Sequence, residues 1–174
     1  DGKTGATDIK MDPSNPDVLY VGMYERRRQP WHYQSGGANG GIFKSTDAGA
    51  TWTKLTEGLP AGDTGQIDIA IHRRDPRILV AAVEADESLP EGVPGSGVYK
   101  SMDGGATWSF LLKHAVRPFY HGQIAIDPND PDLIYVVSRE FKVSKDGGKT
   151  FGGRWWPGGG DDHDMWISPA DSNI

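Results

Sequence analysis

The octet Ser101-Met102-Asp103-Gly104-Gly105-Ala106-Thr107-Trp108 carries the signature of a tight turn between two β-strands. It recurs upstream as Ser45-Thr46-Asp47-Ala48-Gly49-Ala50-Thr51-Trp52 and downstream as Ser144-Lys145-Asp146-Gly147-Gly148-Lys149-Thr150-Phe151. The aspartate side chain can accept backbone N–H groups a few residues on, and the glycine can take positive φ without a steric penalty. The flanking segments, residues 41–44 and 51–55 around the first copy, read as the two strands of a hairpin. The closing aromatic is a large apolar plug.

A second motif runs out of phase with the first. Asp12-Pro13-Ser14-Asn15-Pro16-Asp17 and Asp127-Pro128-Asn129-Asp130-Pro131-Asp132 each separate an alternating stretch from an apolar run. Degenerate copies begin at His72 and Ser168. Proline fixes φ and cannot donate to a ladder, so this motif marks the other turn of each unit. One repeat is therefore four short antiparallel strands. The inner strands fall near residues 7–11, 66–71 and 123–126, and a fourth opens at 165–167. Glycine (24) and proline (12) are frequent enough in 174 residues to demand many turns and to argue against long helices.

Composition excludes several classes. A formal charge of −6 gives no basic excess for tracking phosphates, so no nucleic-acid partner is expected. With no cysteine, neither a disulfide framework nor a thiolate metal site can form. The longest apolar runs, such as 78–83, fall far short of the roughly 18 residues that a membrane-spanning helix requires. No signal peptide is visible, and no P-loop, dinucleotide or Ser-His-Asp motif is present, so no cofactor is expected.

The three octets resemble Asp boxes, the bacterial neuraminidase repeats of sialidases, xyloglucanases and sortilin-type propellers. The octet residues concerned are Ser45, Asp47, Gly49 and Trp52, then Ser101, Asp103, Gly105 and Trp108, then Ser144, Asp146, Gly148 and Phe151. Together with Glu25-Arg26-Arg27-Arg28 and Gly160-Asp161-Asp162-His163-Asp164-Met165-Trp166-Ile167, the wording is most similar to bacterial sortilin-like or glycosyl-hydrolase-like repeat proteins. The resemblance implies an all-β fold of β-propeller blades, each of four antiparallel strands, with the Asp boxes as structural turns away from the ligand face. It implies residues 1–174 as one partial propeller, with blades at about 7–57, 65–113 and 122–153 and the start of a fourth at 163–174. Since propellers close with four to eight blades, three and a fraction would leave an incomplete ring, and the expected partner includes the rest of a longer propeller chain. An extracytoplasmic location, periplasmic or secreted, is also implied by the resemblance alone.

Propeller topology would place both turn motifs on one face and the longer connections on the other, where ligands usually bind. The first such connection carries Arg26, Arg27, Arg28, Trp31, His32 and Tyr33, and the second carries Glu84, Asp86, Glu87 and Glu91. Later ones carry His114, Arg117, Tyr120 and His121, then Trp155, Trp156, Asp161, Asp162, His163 and Asp164. Arg26 and Arg28 suit an anion clamp, because guanidinium forks match carboxylates, although solvated or interblade arginines are the plainer reading. Trp31, Tyr33, Trp155 and Trp156 suit a sugar-stacking or protein-docking platform. Asp162, His163 and Asp164 suggest a metal, but their spacing matches no established calcium loop and no metal is assigned; capping of turns is the plainer reading. Trp52 and Trp108 are expected in the core, and Trp166 within a blade.

Two functions fit. The first is a non-catalytic propeller segment that binds a protein or a glycan through its loop-rich face. The second is a fragment of a glycoside hydrolase of xyloglucanase or sialidase type, which needs two facing carboxyl groups about 5 to 9.5 Å apart.

Overall fold

The computed structural model of the chain describes residues 2–86, 93–114, 122–138, 141–153 and 164–172. Among the described residues there are thirteen strands and no helix, so none is long and apolar enough to cross a membrane. The first sheet holds β1 (Thr4–Asp12), β2 (Asn15–Gln29), β3 (His32–Ser35), β4 (Gly41–Ser45) and β5 (Thr53–Lys54). The second holds β6 (Thr64–Ile71), β7 (Leu79–Ala85), β8 (Gly97–Ser101) and β9 (Ser109–Lys113). The third holds β10 (Gln123–Ile126), β11 (Ile134–Val137), β12 (Lys142–Ser144) and β13 (Gly152–Gly153). Each is an antiparallel meander in sequence order, except that β3 pairs with β2 off the path β1-β2-β4-β5.

The octets close the outer turns in one way three times. Ser101 Oγ accepts from Gly105 N at 2.8 Å and donates to Asp103 Oδ1, while Asp103 accepts from Thr107 N at 2.9 Å and from Thr107 Oγ1 at 2.6 Å. The same bonds join Ser45, Asp47, Gly49 and Thr51, and again Ser144, Asp146, Gly148 and Thr150. Gly104 and Gly105 both sit at positive φ, 70° and 85°. In the first octet the former position is Ala48, the one non-glycine residue with positive φ among those described. The inner turns use an acceptor three residues ahead of the bend. Asp12 Oδ1 and Asp127 Oδ1 accept from Asn15 N and Asp130 N, both at 3.2 Å, and in the degenerate copy His72 Nδ1 accepts from Asp75 N at 3.1 Å. An imidazole thus replaces a carboxylate in the same job, which is why that copy survives with His72-Arg73 in place of the motif's first Asp-Pro pair.

Two apolar layers hold the sheets face to face. Tyr20 and Ile42 of the first sheet pack with Ile67, Ile69, Leu79, Tyr99 and Trp108 of the second. The far face of the second sheet, including Ile78, Val80 and Val98, packs on Ile124, Ile126, Ile134 and Val136 of the third. Burying an aliphatic side chain of this size contributes about 1.5–3 kcal/mol, so these layers dominate over the exposed ion pairs.

Three expectations need correction. Residues 165–167 form no strand: an inner strand acquires its ladder from the strand that follows, and here the following residues turn back onto the third sheet, with Ser172 Oγ donating to Asp127 Oδ1 at 2.8 Å. Trp166 is accordingly 72% exposed rather than packed in a sheet. Trp52 is 38% exposed although Trp108 is 5% exposed, because Trp108 is covered by the sheet before it and no described residue covers Trp52 in that way.

Candidate functional site

The Arg-rich segment is strand rather than loop. β2 runs far past its ladder with β1 and β4 and folds back as β3, forming a two-stranded ribbon. Arg26 lies opposite Ser35 and Arg28 opposite Tyr33, whereas Arg27 lies opposite Gln34. Strand alternation therefore puts Tyr24, Arg26 and Arg28 on one face with Tyr33 and Ser35, and sends Arg27 to the other. The Arg26 guanidinium carbon stands 5.8 Å from the centroid of the Tyr33 ring, within cation–π range. Trp31 at the tip is 81% exposed. With Pro30 and His32 these side chains border an open cavity of about 420 Å³.

The root of the ribbon is tied to the second sheet by a relay that no sequence motif announces. Ser35 Oγ donates to the Glu84 carboxylate, 2.8 Å from both oxygens, and Gln66 N donates to Glu84 Oε2 at 2.8 Å. Because the Ser35 proton is given to Glu84, Tyr24 must donate across its 2.9 Å contact with Ser35 Oγ, and Tyr33 across its 3.3 Å contact with Tyr24. Burial, first of all, raises the Tyr24 phenol above its ordinary range, so it stays a donor. A side chain at Gly65 would fall on the Glu84 carboxyl group, so glycine there keeps the acceptor in place. Glu84 is thus a buttress that fixes Ser35 and, through it, the orientation of the ridge.

A second group lies along the inner strands. Asp8 Oδ2 accepts from Ile69 N at 2.9 Å, and Asp68 Oδ2 accepts from Ile124 N at 2.7 Å, so each inner strand's carboxylate latches the next. Lys10 Nζ lies 2.9 Å from Asp8 Oδ1. Burial raises Asp68 to about 7; the Ile124 N–H opposes the shift and the Asp8 charge adds to it. This pair faces a cavity of about 620 Å³ that Lys10, Arg73, Gln123 and Asp164 also border.

Of the residues expected to form the site, the structure brings Arg26, Arg28, Trp31, His32 and Tyr33 together on the ribbon. Arg117, Tyr120, His121, Trp155, Trp156, Asp162 and His163 lie outside the described residues. Asp164 does not join the ribbon; it borders the inner cavity and accepts from Met165 N at 2.7 Å. His114 is buried, with Nε2 2.9 Å from Ser138 Oγ. Among the described residues no group of three His, Asp or Glu side chains is placed to hold a metal ion.

No family model matches the chain. It is 31% identical over 151 residues, 80% of its length, to the xyloglucanase Xgh74A of Acetivibrio thermocellus, and spans 15% of that relative's own length. Among solved structures, the GH74 xyloglucanase of Xanthomonas campestris superposes with a TM-score of 0.60 at 22% identity, over 84% of this chain and 21% of that one. YCF48 bound to D1 peptide superposes with a TM-score of 0.57 at 14% identity, over 87% of this chain and 40% of that one. These likenesses establish the fold: an all-β arrangement of four-stranded β-propeller blades in a ring that this chain does not close.

Proposed function

We propose that the chain is part of a carbohydrate-active β-propeller of the xyloglucanase kind, and that within it this segment supplies a glycan-binding wall rather than the catalytic pair. The observation that carries the reading is the ribbon face on which Trp31, Tyr33, Arg26 and Arg28 converge over an open cavity. Aromatic faces stack on the C–H faces of sugar rings, and guanidinium groups donate to hydroxyl oxygens, so this combination grips a neutral polysaccharide without needing a counter-charge. The relay from Tyr33 to Glu84 holds the platform rigid, which lowers the ordering cost of binding. The named relatives support the sugar class.

The carboxyl groups described here favour binding over turnover. Glu84 is engaged by Ser35 and by Gln66 N–H, and Asp8 and Asp68 each accept a backbone N–H of the neighbouring inner strand, so all three carboxyl groups are occupied in holding the sheets together. On this reading the octets are Asp boxes of the bacterial neuraminidase type in a sortilin-like repeat, purely structural, and the parent protein acts outside the cytoplasm, where its polysaccharide is found.

The test is titration of the chain with a xyloglucan oligosaccharide, followed by calorimetry and by tryptophan emission. Trp31→Ala and Tyr33→Phe separate stacking from the relay. Trp31→Ala is expected to weaken binding at least tenfold, about 1.4 kcal/mol, with the thermal melt unmoved. Equal affinity of wild type and Trp31→Ala refutes the assignment.

A further inference from the structure

We infer that a second cavity, between the first two sheets and beside the root of the ribbon, takes a short acyl ester carried by the polysaccharide, an inference that rests on the glycan reading and names the substituent this wall selects.

The cavity holds about 190 Å³ and is bordered by both sheets and by residues 55–63, which connect them. Ile42, Ile67 and Val83 of the core layer line it, and Leu55 and Leu59 of the connection lie against that layer. It stands at the ribbon's end of the sheets. The segment that returns from β3 to β4 reaches its border twice, through the bridge of Gly37 with Thr64 and through Ala38 O, which accepts from Lys54 Nζ at 3.2 Å. A glycan chain that follows the ribbon to its root therefore arrives at this cavity.

One bordering group lacks a partner. Thr64 is 4% exposed, and its Oγ1 is buried without a hydrogen bond among the described residues. A buried hydroxyl left unpaired destabilises the fold, so its presence in a largely apolar wall calls for an acceptor that arrives with a ligand. Lys54 is placed differently: its ammonium is held at Ala38 O and over the Phe43 ring, 5.9 Å from the centroid.

These features set the occupant. An apolar cavity of about 150 Å³ holds one benzene, so this one has room for roughly six to eight heavy atoms. A pyranose ring would bring several hydroxyl groups that aliphatic side chains leave unpaired, and a carboxylate would bring a charge into the same surroundings. A short acyl ester avoids both costs. Its alkyl end suits Ile42, Ile67 and Val83, and its carbonyl oxygen accepts from Thr64.

The test follows the Ile and Val methyl resonances of the chain during titration with ethyl acetate, with sodium acetate, and with an O-acetylated xyloglucan oligosaccharide before and after alkaline de-esterification. Ethyl acetate is expected to shift the Ile42, Ile67 and Val83 methyl resonances, and the acetylated oligosaccharide to bind about fivefold more tightly than its de-esterified form. Thr64→Val should bring the two affinities together without lowering the thermal melt, because it removes an unpaired hydroxyl at nearly constant shape. Ala61→Phe, at an exposed bordering position, obstructs the cavity and should also bring them together, which keeps the test decisive if Thr64→Val does not fold. Equal affinity of the two oligosaccharides for the wild type overturns the inference and leaves the glycan reading standing, whereas binding of neither removes both. Sodium acetate that shifts the same resonances at lower concentration than ethyl acetate overturns the ester in favour of a free carboxylate. A preference for the acetylated form that survives both substitutions overturns the assignment to this cavity.

Discussion

Asp68→Asn should make the protein more stable at neutral pH and remove most of a pH dependence that the wild type shows. Asp68 is raised to about 7 from an ordinary 3.8, with burial as the leading cause. A carboxyl group whose folded pKa is raised binds its proton more tightly in the folded state, so its contribution is fully present below pH 3.8 and is lost as pH rises through 7. A gap of about three units at 1.36 kcal/mol each sets a ceiling of about 4 kcal/mol. The Lys10 ammonium beside Asp8 compensates part of the pair's charge, so a loss of about 2 kcal/mol between pH 4 and 8 is expected. Asparagine keeps an oxygen for Ile124 N, so the latch survives without the titrating proton. Urea unfolding of both proteins at pH 4 and 8 measures this, and the informative quantity is the difference between variant and wild type. The variant should gain about 2 kcal/mol at pH 8 and little at pH 4. If the two unfold in parallel across that window, the carboxyl pair does not hold its proton in the folded state, and the account of the inner strands is wrong.

Two further outcomes follow from the octets. Trp108→Ala should cost about 3–5 kcal/mol, in the range for emptying a buried aromatic site, whereas Trp52→Ala should cost much less because that ring is more than a third exposed; equal losses in urea unfolding count against the assignment of an open first face. The aspartates Asp47, Asp103 and Asp146 are each held down at about 2, chiefly by the hydroxyl and N–H of the threonine four residues on. Their stabilisation is therefore present above pH 3.8 and lost as pH falls towards 2, so Asp103→Ala should flatten the acid limb of the unfolding curve and leave oligosaccharide affinity unchanged. Loss of affinity with an unmoved melt would place the ligand on the octet side.

What was legible in the sequence is what is local. The side-chain acceptors that close each octet turn bond to donors within the same eight residues, so Ser101, Asp103, Gly105 and Thr107 announce themselves, and so do the strands on either side. Exposure of Trp52 was not legible, because an octet tryptophan is covered by the neighbouring sheet rather than by its own. The ribbon was read as a loop because arginine and glutamine carry little strand preference; the alternation of Tyr24, Arg26 and Arg28 against Glu25 and Arg27 was the signal available. The relay joins Ser35 to Glu84 across 49 positions and belongs to no motif. The Asp8 and Asp68 pair could have been found, since superposing the turn motifs puts both four residues ahead of the turn acceptors Asp12 and His72.

That contrast between local and interfacial bonds bears on where such a repeat can acquire function. The Ser and Asp side chains of each octet are engaged within it and its fourth N–H donates to a carbonyl of the Asp-Pro turn, as Gly104 N does to Arg77 O, so its edge of the sheet needs nothing from a ligand. The opposite edge is different: β2 extends past its ladder with β4, and its ribbon is tied to the next sheet through the Ser35 hydroxyl on Glu84 and a short bridge between Gly37 and Thr64. Residues beyond that tie, from Arg26 to His32, belong to neither apolar layer, and substitutions there leave both layers intact. A side chain that removes the tie itself acts at a distance. Ser35→Ala removes a donor to Glu84 and the acceptor of the Tyr24 hydroxyl, so it should loosen the ribbon while touching no ligand atom.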